Sequence, residues 1–279
     1  MARGISINVG LNEVDPAGYF GWNVKLRGCE NDARAMSRIA ERQGYAPTLI
    51  LTQEATSARV FRELALAARS LADGDTLLLT FSGHGSQIDD VTGDEPDLKD
   101  EVWLLFDRFI LDDEMYNALA QFRVGVRILV VLDSCHSGTA VHFLKLLAEA
   151  PSLSERLGLR AELGDHLMPP EIAAEVFDRH RTLFEGLQWA NMRGEGFRPS
   201  ASVILLAASQ DNQTAKDGEP NSRFTEKLLE VWDGGEFRGD HASFFQRIVS
   251  LMPPIQTPQM TLLGPADRAF LKQRPFTVN

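Results

Sequence analysis

Two side chains near the middle of this 279-residue chain are of the types that nucleophilic catalysis requires. His84 stands in Ser82-Gly83-His84-Gly85-Ser86-Gln87, directly after the apolar run Thr76–Phe81. Cys135 stands in Asp133-Ser134-Cys135-His136-Ser137-Gly138, directly after the run Ile128–Leu132. A thiol attacks well only as thiolate, and an adjacent imidazole lowers the cost of forming one. The same imidazole can then return the proton to a leaving group. The backbone N–H groups of Gly85 and Cys135 are candidate oxyanion donors, because no side chain has to be ordered to supply them. His136 is the competing base, but adjacent residues point apart, which favours His84; His142 and His166 have no comparable surroundings.

A lone cysteine after a strand is ordinarily a small buried hydrophobe, and a lone histidine among glycines is ordinarily a loop residue. The pair, each member closing an apolar run, is what points to chemistry. Zinc is a weaker reading. Structural zinc sites take four ligands, often in close pairs, whereas Cys135, His136 and His142 are poorly spaced and no Cys-x-x-Cys is present.

The elements that must position these residues read as alternating strands and helices. Strands are expected at Ile5–Leu11, Pro47–Leu51, Thr76–Phe81, Arg127–Leu132, Val203–Ala208 and Thr257–Leu263, the last at a sheet edge because Pro258 opens it. Helices are expected at Glu30–Gln43, after the capping residues Thr56 and Ser57, from a cap at Asp112, from near Thr139, and at Ser222–Trp232 and Ala242–Leu251. Gln87–Glu101 reads as an acidic loop and Val102–Phe106 as a small β excursion. This rhythm implies a parallel sheet with helices on both faces, and in such sheets sites lie beyond the carboxyl ends of the strands. Residues 151–198 differ. They carry arginines at 156, 160, 179, 181, 193 and 198, lack the strand rhythm, and read as an insertion that is partly helical around Pro170–Leu187.

Composition narrows the partners. With 44% hydrophobic residues the chain can bury a sizeable core. A net charge of −11 disfavours nucleic acid and anionic membranes and suits a basic substrate or a divalent cation. Two cysteines, Cys29 and Cys135, are too few for a disulfide framework. Neither a leader nor a membrane-length apolar run is visible, so a cytoplasmic setting is expected.

The two motifs resemble those around the catalytic histidine and cysteine of caspase-like cysteine peptidases, and most of all of metacaspases and their bacterial relatives. The histidine precedes the cysteine by about 50 residues, as it does in caspases. Leu26–Ala33 resembles the family stretch after the first strand, and Ala207–Ala215 the stretch after the strand that opens the small subunit. The resemblance implies an α/β fold of caspase type, a three-layer sandwich around a mostly parallel sheet of about six strands. It implies a large-subunit region over residues 1–150, a linker and processing region over 151–198, and a small-subunit region over 199–279.

It further implies a cysteine endopeptidase that cuts after arginine or lysine. The acidic pocket would be formed by Asp32 and Asp133, with Ser82, Cys29 and Ser209 beside them. Two carboxylates can grip a guanidinium through charge-assisted bonds. Caspases that grip aspartate place an arginine two residues before the glycine that matches Gly28; Leu26 stands there in this chain. Calcium activation is implied through Asp100, Asp112 and Asp113, although His142 replaces a further family aspartate. The arginines of 151–198 make self-cleavage an expectation, and a regulatory protein partner is left open.

Two rivals use the same residues differently. A caspase-fold scaffold or effector-binding module would carry a silent dyad. A flavodoxin-like nucleotide binder would need a phosphate-cradling loop after the first strand, for which Asn8-Val9-Gly10-Leu11-Asn12 is too poor in glycine.

Overall fold

The computed structural model describes residues 2–89, 99–134, 168–192, 199–209 and 217–278. The main strands are β1 (Gly4–Gly10), β2 (Tyr45–Leu51), β3 (Thr76–Ser82), β7 (Arg127–Asp133), β8 (Ser202–Ala207) and β9 (Gln259–Leu263). They form one sheet in the order β2-β1-β3-β7-β8-β9. Neighbours pair in parallel, except that β8 and β9 are antiparallel, with β9 at the edge as expected.

Helices cover both faces, which is why β3 and β7 are apolar without alternation. On one face, Leu77, Leu79 and Phe81 of β3 pack with Val60, Leu64 and Ala67 of α2 (Ser57–Ser70) and Met115 and Leu119 of α3 (Asp112–Ala120). On the other face, Leu78, Leu129 and Val131 pack against Met36 and Ile39 of α1 (Cys29–Arg42). Two helices from late in the chain close this layer, Arg223–Trp232 through Phe224 and Leu228 and His241–Leu251 through Phe244 and Ile248. Thr56 caps α2 by accepting the N–H of Arg59 at 3.3 Å. Among the described residues no helix is long and apolar enough to cross a membrane.

A second, antiparallel sheet consists of β4 (Gly85–Asp89), β5 (Lys99–Leu104) and β6 (Phe109–Leu111). It lengthens the expected β excursion and takes in both ends of the segment read as an acidic loop. Strand pairing there overrides the acidic composition. Asp112 also differs from its expected role as a cap. It is the first residue of α3, and Glu114 reaches back to accept the Leu111 N–H at 3.1 Å. The helix expected from Thr139 lies outside the described residues.

Within 151–198 the structure describes α4 (Pro170–Arg179) and α5 (Arg181–Met192). These helices are packed into the protein. Met168, Val176, Phe177 and Phe184 form a third core with Val14, Tyr19, Leu104 and Phe109. The chain continues through α6 (Arg223–Trp232), α7 (His241–Leu251) and the short α8 (Arg268–Lys272).

Candidate active site

The site begins where β3 and β7 run out of apolar residues. Strand side chains alternate between faces with period two. Leu78, Thr80 and Ser82 therefore share one face of β3, and Leu129, Val131 and Asp133 share one face of β7. Leu78, Leu129 and Val131 lie in the layer covered by α1 and α6. Ser82 and Asp133 continue the same faces at the strand ends, where the two residues are register partners. There the strands meet helix N-termini instead of apolar side chains.

Asp32, in the first turn of α1, is 1% exposed, as is Asp133. The Ser82 hydroxyl donates to Asp32 Oδ2 at 2.7 Å. Asn221 Nδ2 and the Ser222 N–H donate to Asp32 Oδ1 at 2.8 and 3.1 Å. The Thr225 N–H and hydroxyl donate to Asp133 Oδ2 at 3.0 and 2.8 Å. Ser222 is the N-cap of α6 and Thr225 lies in its first turn. Two carboxylates can occupy so dry a place because N–H and O–H donors at helix starts meet their charge. Asp32, Ser82 and Asp133 are thus brought together, and each carboxylate is held by the opening of α6.

His84 lies between β3 and β4 and is 2% exposed. Its Nε2 is 2.7 Å from the Val24 carbonyl oxygen. A carbonyl only accepts, so Nε2 carries the hydrogen and Nδ1 is the basic nitrogen. The Trp22 ring meets the imidazole in a T-shaped contact with centroids 4.8 Å apart. The main chain is fixed as well, since the Leu104 N–H donates to the His84 carbonyl at 3.0 Å.

The loop that supplies Trp22 and Val24 is anchored independently. The Tyr19 hydroxyl donates to the Leu105 carbonyl at 2.6 Å, and Arg179 of α4 stacks 3.6 Å over the Phe20 ring and donates to the Ala17 carbonyl. Met168 binds the residues after the histidine. Its N–H donates to the Gly85 carbonyl, and its carbonyl accepts the Ser86 hydroxyl, both at 2.9 Å.

Cys135 lies outside the described residues, as do His136, His142 and His166. Ser134, its neighbour, is buried at the end of β7. The buried Ser209 hydroxyl donates to the Ser134 carbonyl at 3.4 Å, which brings Ser209 beside the segment that leads to the cysteine. Gly85 opens β4. Cys29 is the buried first residue of α1, and its carbonyl lies so close to Gly10 that a Cβ there would be 2.3 Å from the oxygen.

The acids expected to bind calcium sit elsewhere. Asp112 and Asp113 start α3, the Asp113 N–H donating to Asp112 Oδ1 at 2.8 Å, and Asp100 pairs with Ile88 in β5. Calcium takes six to eight oxygens. Among the described residues no three acid, histidine or cysteine side chains gather as a metal site would require.

Several residues that shape the site were not singled out in the sequence: Trp22, Val24, Asn221, Ser222 and Thr225. Val24 acts through its backbone carbonyl, which any residue type would supply. The sequence pattern starts a helix at Ser222, but nothing local ties that start to Asp32 or Asp133, which lie far away in the chain.

The profile of the caspase domain, peptidase family C14, matches residues 14–274. Metacaspase-1A of Aspergillus clavatus is 28% identical over 296 positions, covering 95% of this chain and 67% of that protein. Metacaspase-1 of Eremothecium gossypii is 29% identical over 233 positions, covering 73% of this chain and 51% of that protein. The chain thus spans between about half and two thirds of these relatives' length. Among solved structures, protein GSU0716 of Geobacter sulfurreducens shares 41% identity over 99% of both chains, with a TM-score of 0.85. Caspase-1 of Spodoptera frugiperda has a TM-score of 0.51 at 14% identity, covering 93% of this chain and 88% of that one, a likeness of fold.

Proposed function

Because the chain belongs to the caspase-domain family, we propose that it is a cysteine endopeptidase that cuts peptide bonds after arginine or lysine. Cys135 is the nucleophile and His84 the base. The thiol proton passes to His84 Nδ1 while Nε2–H stays on the Val24 carbonyl. The thiolate adds to the scissile carbonyl, and the Gly85 and Cys135 N–H groups receive the oxyanion. The tetrahedral intermediate collapses to a thioester as Nδ1 returns the proton to the leaving amine. Water, deprotonated by the same nitrogen, then releases the acid and restores the thiol.

Asp32 and Asp133 select the basic side chain, with Ser82, Cys29 and Ser209 around them. The observation that carries this reading is the parallel register of β3 and β7. It ends at Ser82 opposite Asp133, so the histidine and the cysteine each follow two residues after paired positions. Two buried carboxylates at that same junction favour a cationic substrate side chain.

Fluorogenic peptides ending in arginine, lysine, aspartate or leucine, assayed beside Cys135→Ala, test the proposal. Turnover confined to the basic peptides and lost in the variant is expected. Turnover that survives Cys135→Ala, or a preference for aspartate, removes it. Calcium activation through Asp100, Asp112 and Asp113 remains a separate proposal. Calorimetric titration with calcium alone checks it, a flat isotherm counting against it.

A further inference from the structure

Segment 217–222 crosses from the second half of the chain to the turn that starts α1. Asp217 Oδ2 accepts the Arg27 N–H at 2.9 Å, and its Oδ1 accepts the Gly28 N–H at 3.0 Å. One carboxylate thus takes two successive backbone amides, a pair of charge-assisted bonds to donors at a helix start. The contact continues along the segment. Asn31 Nδ2 donates to the Pro220 carbonyl at 2.8 Å, and Asn221 and Ser222 donate to Asp32. The backbones nearly touch, for a Cβ at Gly28 would lie 2.6 Å from Ser222 N and 2.7 Å from the Gly218 oxygen. Only glycine at position 28 lets the segment dock this closely.

We infer that Asp217 is a positioning residue for substrate selection, an inference that rests on the basic-residue peptidase reading. Asp217 anchors the beginning of the docked segment and Asp32 anchors its end. With both ends fixed, Asn221 and Ser222 hold one Asp32 oxygen while Ser82 holds the other. The carboxylate is thereby oriented before a guanidinium or ammonium arrives, and orientation in advance saves the ordering cost on binding. Asp217 acts through this segment and not on the scissile bond. Its loss therefore weakens capture of the basic side chain and leaves the thiol chemistry intact.

The test compares wild type with Asp217→Asn, Asp217→Ala and Asp217→Glu in three measurements. These are kcat and KM on arginine- and lysine-ending peptides, the alkylation rate of Cys135 by iodoacetamide followed on its own peptide by mass spectrometry, and hydrogen exchange of the Arg27 and Gly28 amides. In Asp217→Asn and Asp217→Ala, KM is expected to rise about tenfold, the equivalent of one charge-assisted hydrogen bond at the weak end of its range, with kcat within about twofold. Alkylation stays at the wild-type rate and exchange at 27–28 accelerates. Asp217→Glu recovers part of the KM. An active wild type whose variants keep its KM overturns the inference. So do variants in which alkylation and kcat fall while KM rises, since that marks general loss of structure. A wild type inert toward every basic peptide overturns the peptidase reading itself, and the selection role with it.

Discussion

Ser82 and Asp133 stand opposite one another as the last paired residues of β3 and β7. The Ser82 hydroxyl donates a hydrogen bond to Asp32 of α1, and Asp133 accepts hydrogen bonds from the Thr225 N–H and hydroxyl of α6. A single rung of the sheet therefore fastens an early helix and a late one to the ends of the two motif-bearing strands.

Asp133 carries both charge and structure, and two substitutions separate them. Asp133→Asn keeps an acceptor for Thr225 but removes the charge. Its discrimination between arginine and leucine peptides should fall by at least tenfold, with a small change in denaturation midpoint. Asp133→Ala strands two buried donors and should lower stability by about 2–4 kcal/mol. Urea titration of both variants checks this; equal stabilities would contradict it.

Trp22 and Val24 hold the imidazole of His84 from one loop. Trp22→Ala frees the ring to rotate and should reduce kcat about tenfold or more with a smaller effect on KM, in line with the sensitivity of catalysis to misplaced groups. Trp22→Phe, which keeps an aromatic neighbour, should retain most of the rate. The pH profile of kcat/KM should shift in Trp22→Ala and not in Trp22→Phe.

His241, the first residue of α7, is 1% exposed and packs edge-on against Phe270 with centroids 5.1 Å apart. Burial lowers its pKa from 6.5 to about 4, outweighing the opposing pull of the Phe270 backbone, the Asp240 carboxylate and the Leu271 backbone. The folded state thus resists protonation while the unfolded state binds a proton below 6.5. The neutral ring's contribution is complete above 6.5 and is lost as pH falls toward 4, by about 3 kcal/mol in all. Asp240 and Asp267 have lowered values of their own, so their losses come at lower pH. Denaturation from pH 7 to 4.5 should show this slope in wild type and a flatter one in His241→Phe.

Self-processing, if it accompanies the proposed specificity, should spare Arg179 and Arg181. Arg179 is bound to Ala17 and Phe20, and α4 and α5 are packed through Phe177 and Phe184, whereas a peptidase needs an extended substrate segment. Cleavage is expected after the other arginines of residues 151–198. Intact-mass analysis beside Cys135→Ala checks both parts. Fragments ending at Arg179 or Arg181, or cleavage persisting in the variant, would contradict the expectation.

The β3 and β7 strands were legible because a strand buried on both faces is largely apolar, and runs this short, closed by small and glycine residues, suit a strand better than a helix. Helix stripes such as Val60, Leu64 and Ala67 were legible for the same reason, since burial and period agree. The reach of β4 and β5 into acidic sequence was not legible, because there pairing with a neighbour, and not composition, sets the conformation. The packing role of α4 and α5 was missed because their apolar residues pair with Tyr19 and Phe109, far away in the chain.

The amino-acid sequence alone determined that a histidine and a cysteine follow two buried strands, that acids stand at positions 32 and 133, and that the layers are helix, sheet and helix. Those features depend on residue type and short-range period, which a linear chain carries in full. Tertiary structure decided which carbonyl sets the tautomer of His84, which helix start neutralises Asp32 and Asp133, and which carboxylate clamps Gly28. Each of those is a hydrogen bond between groups that only folding brings together. The backbone atoms that supply most of them are the same in every residue, so no reading of side chains in order can assign them.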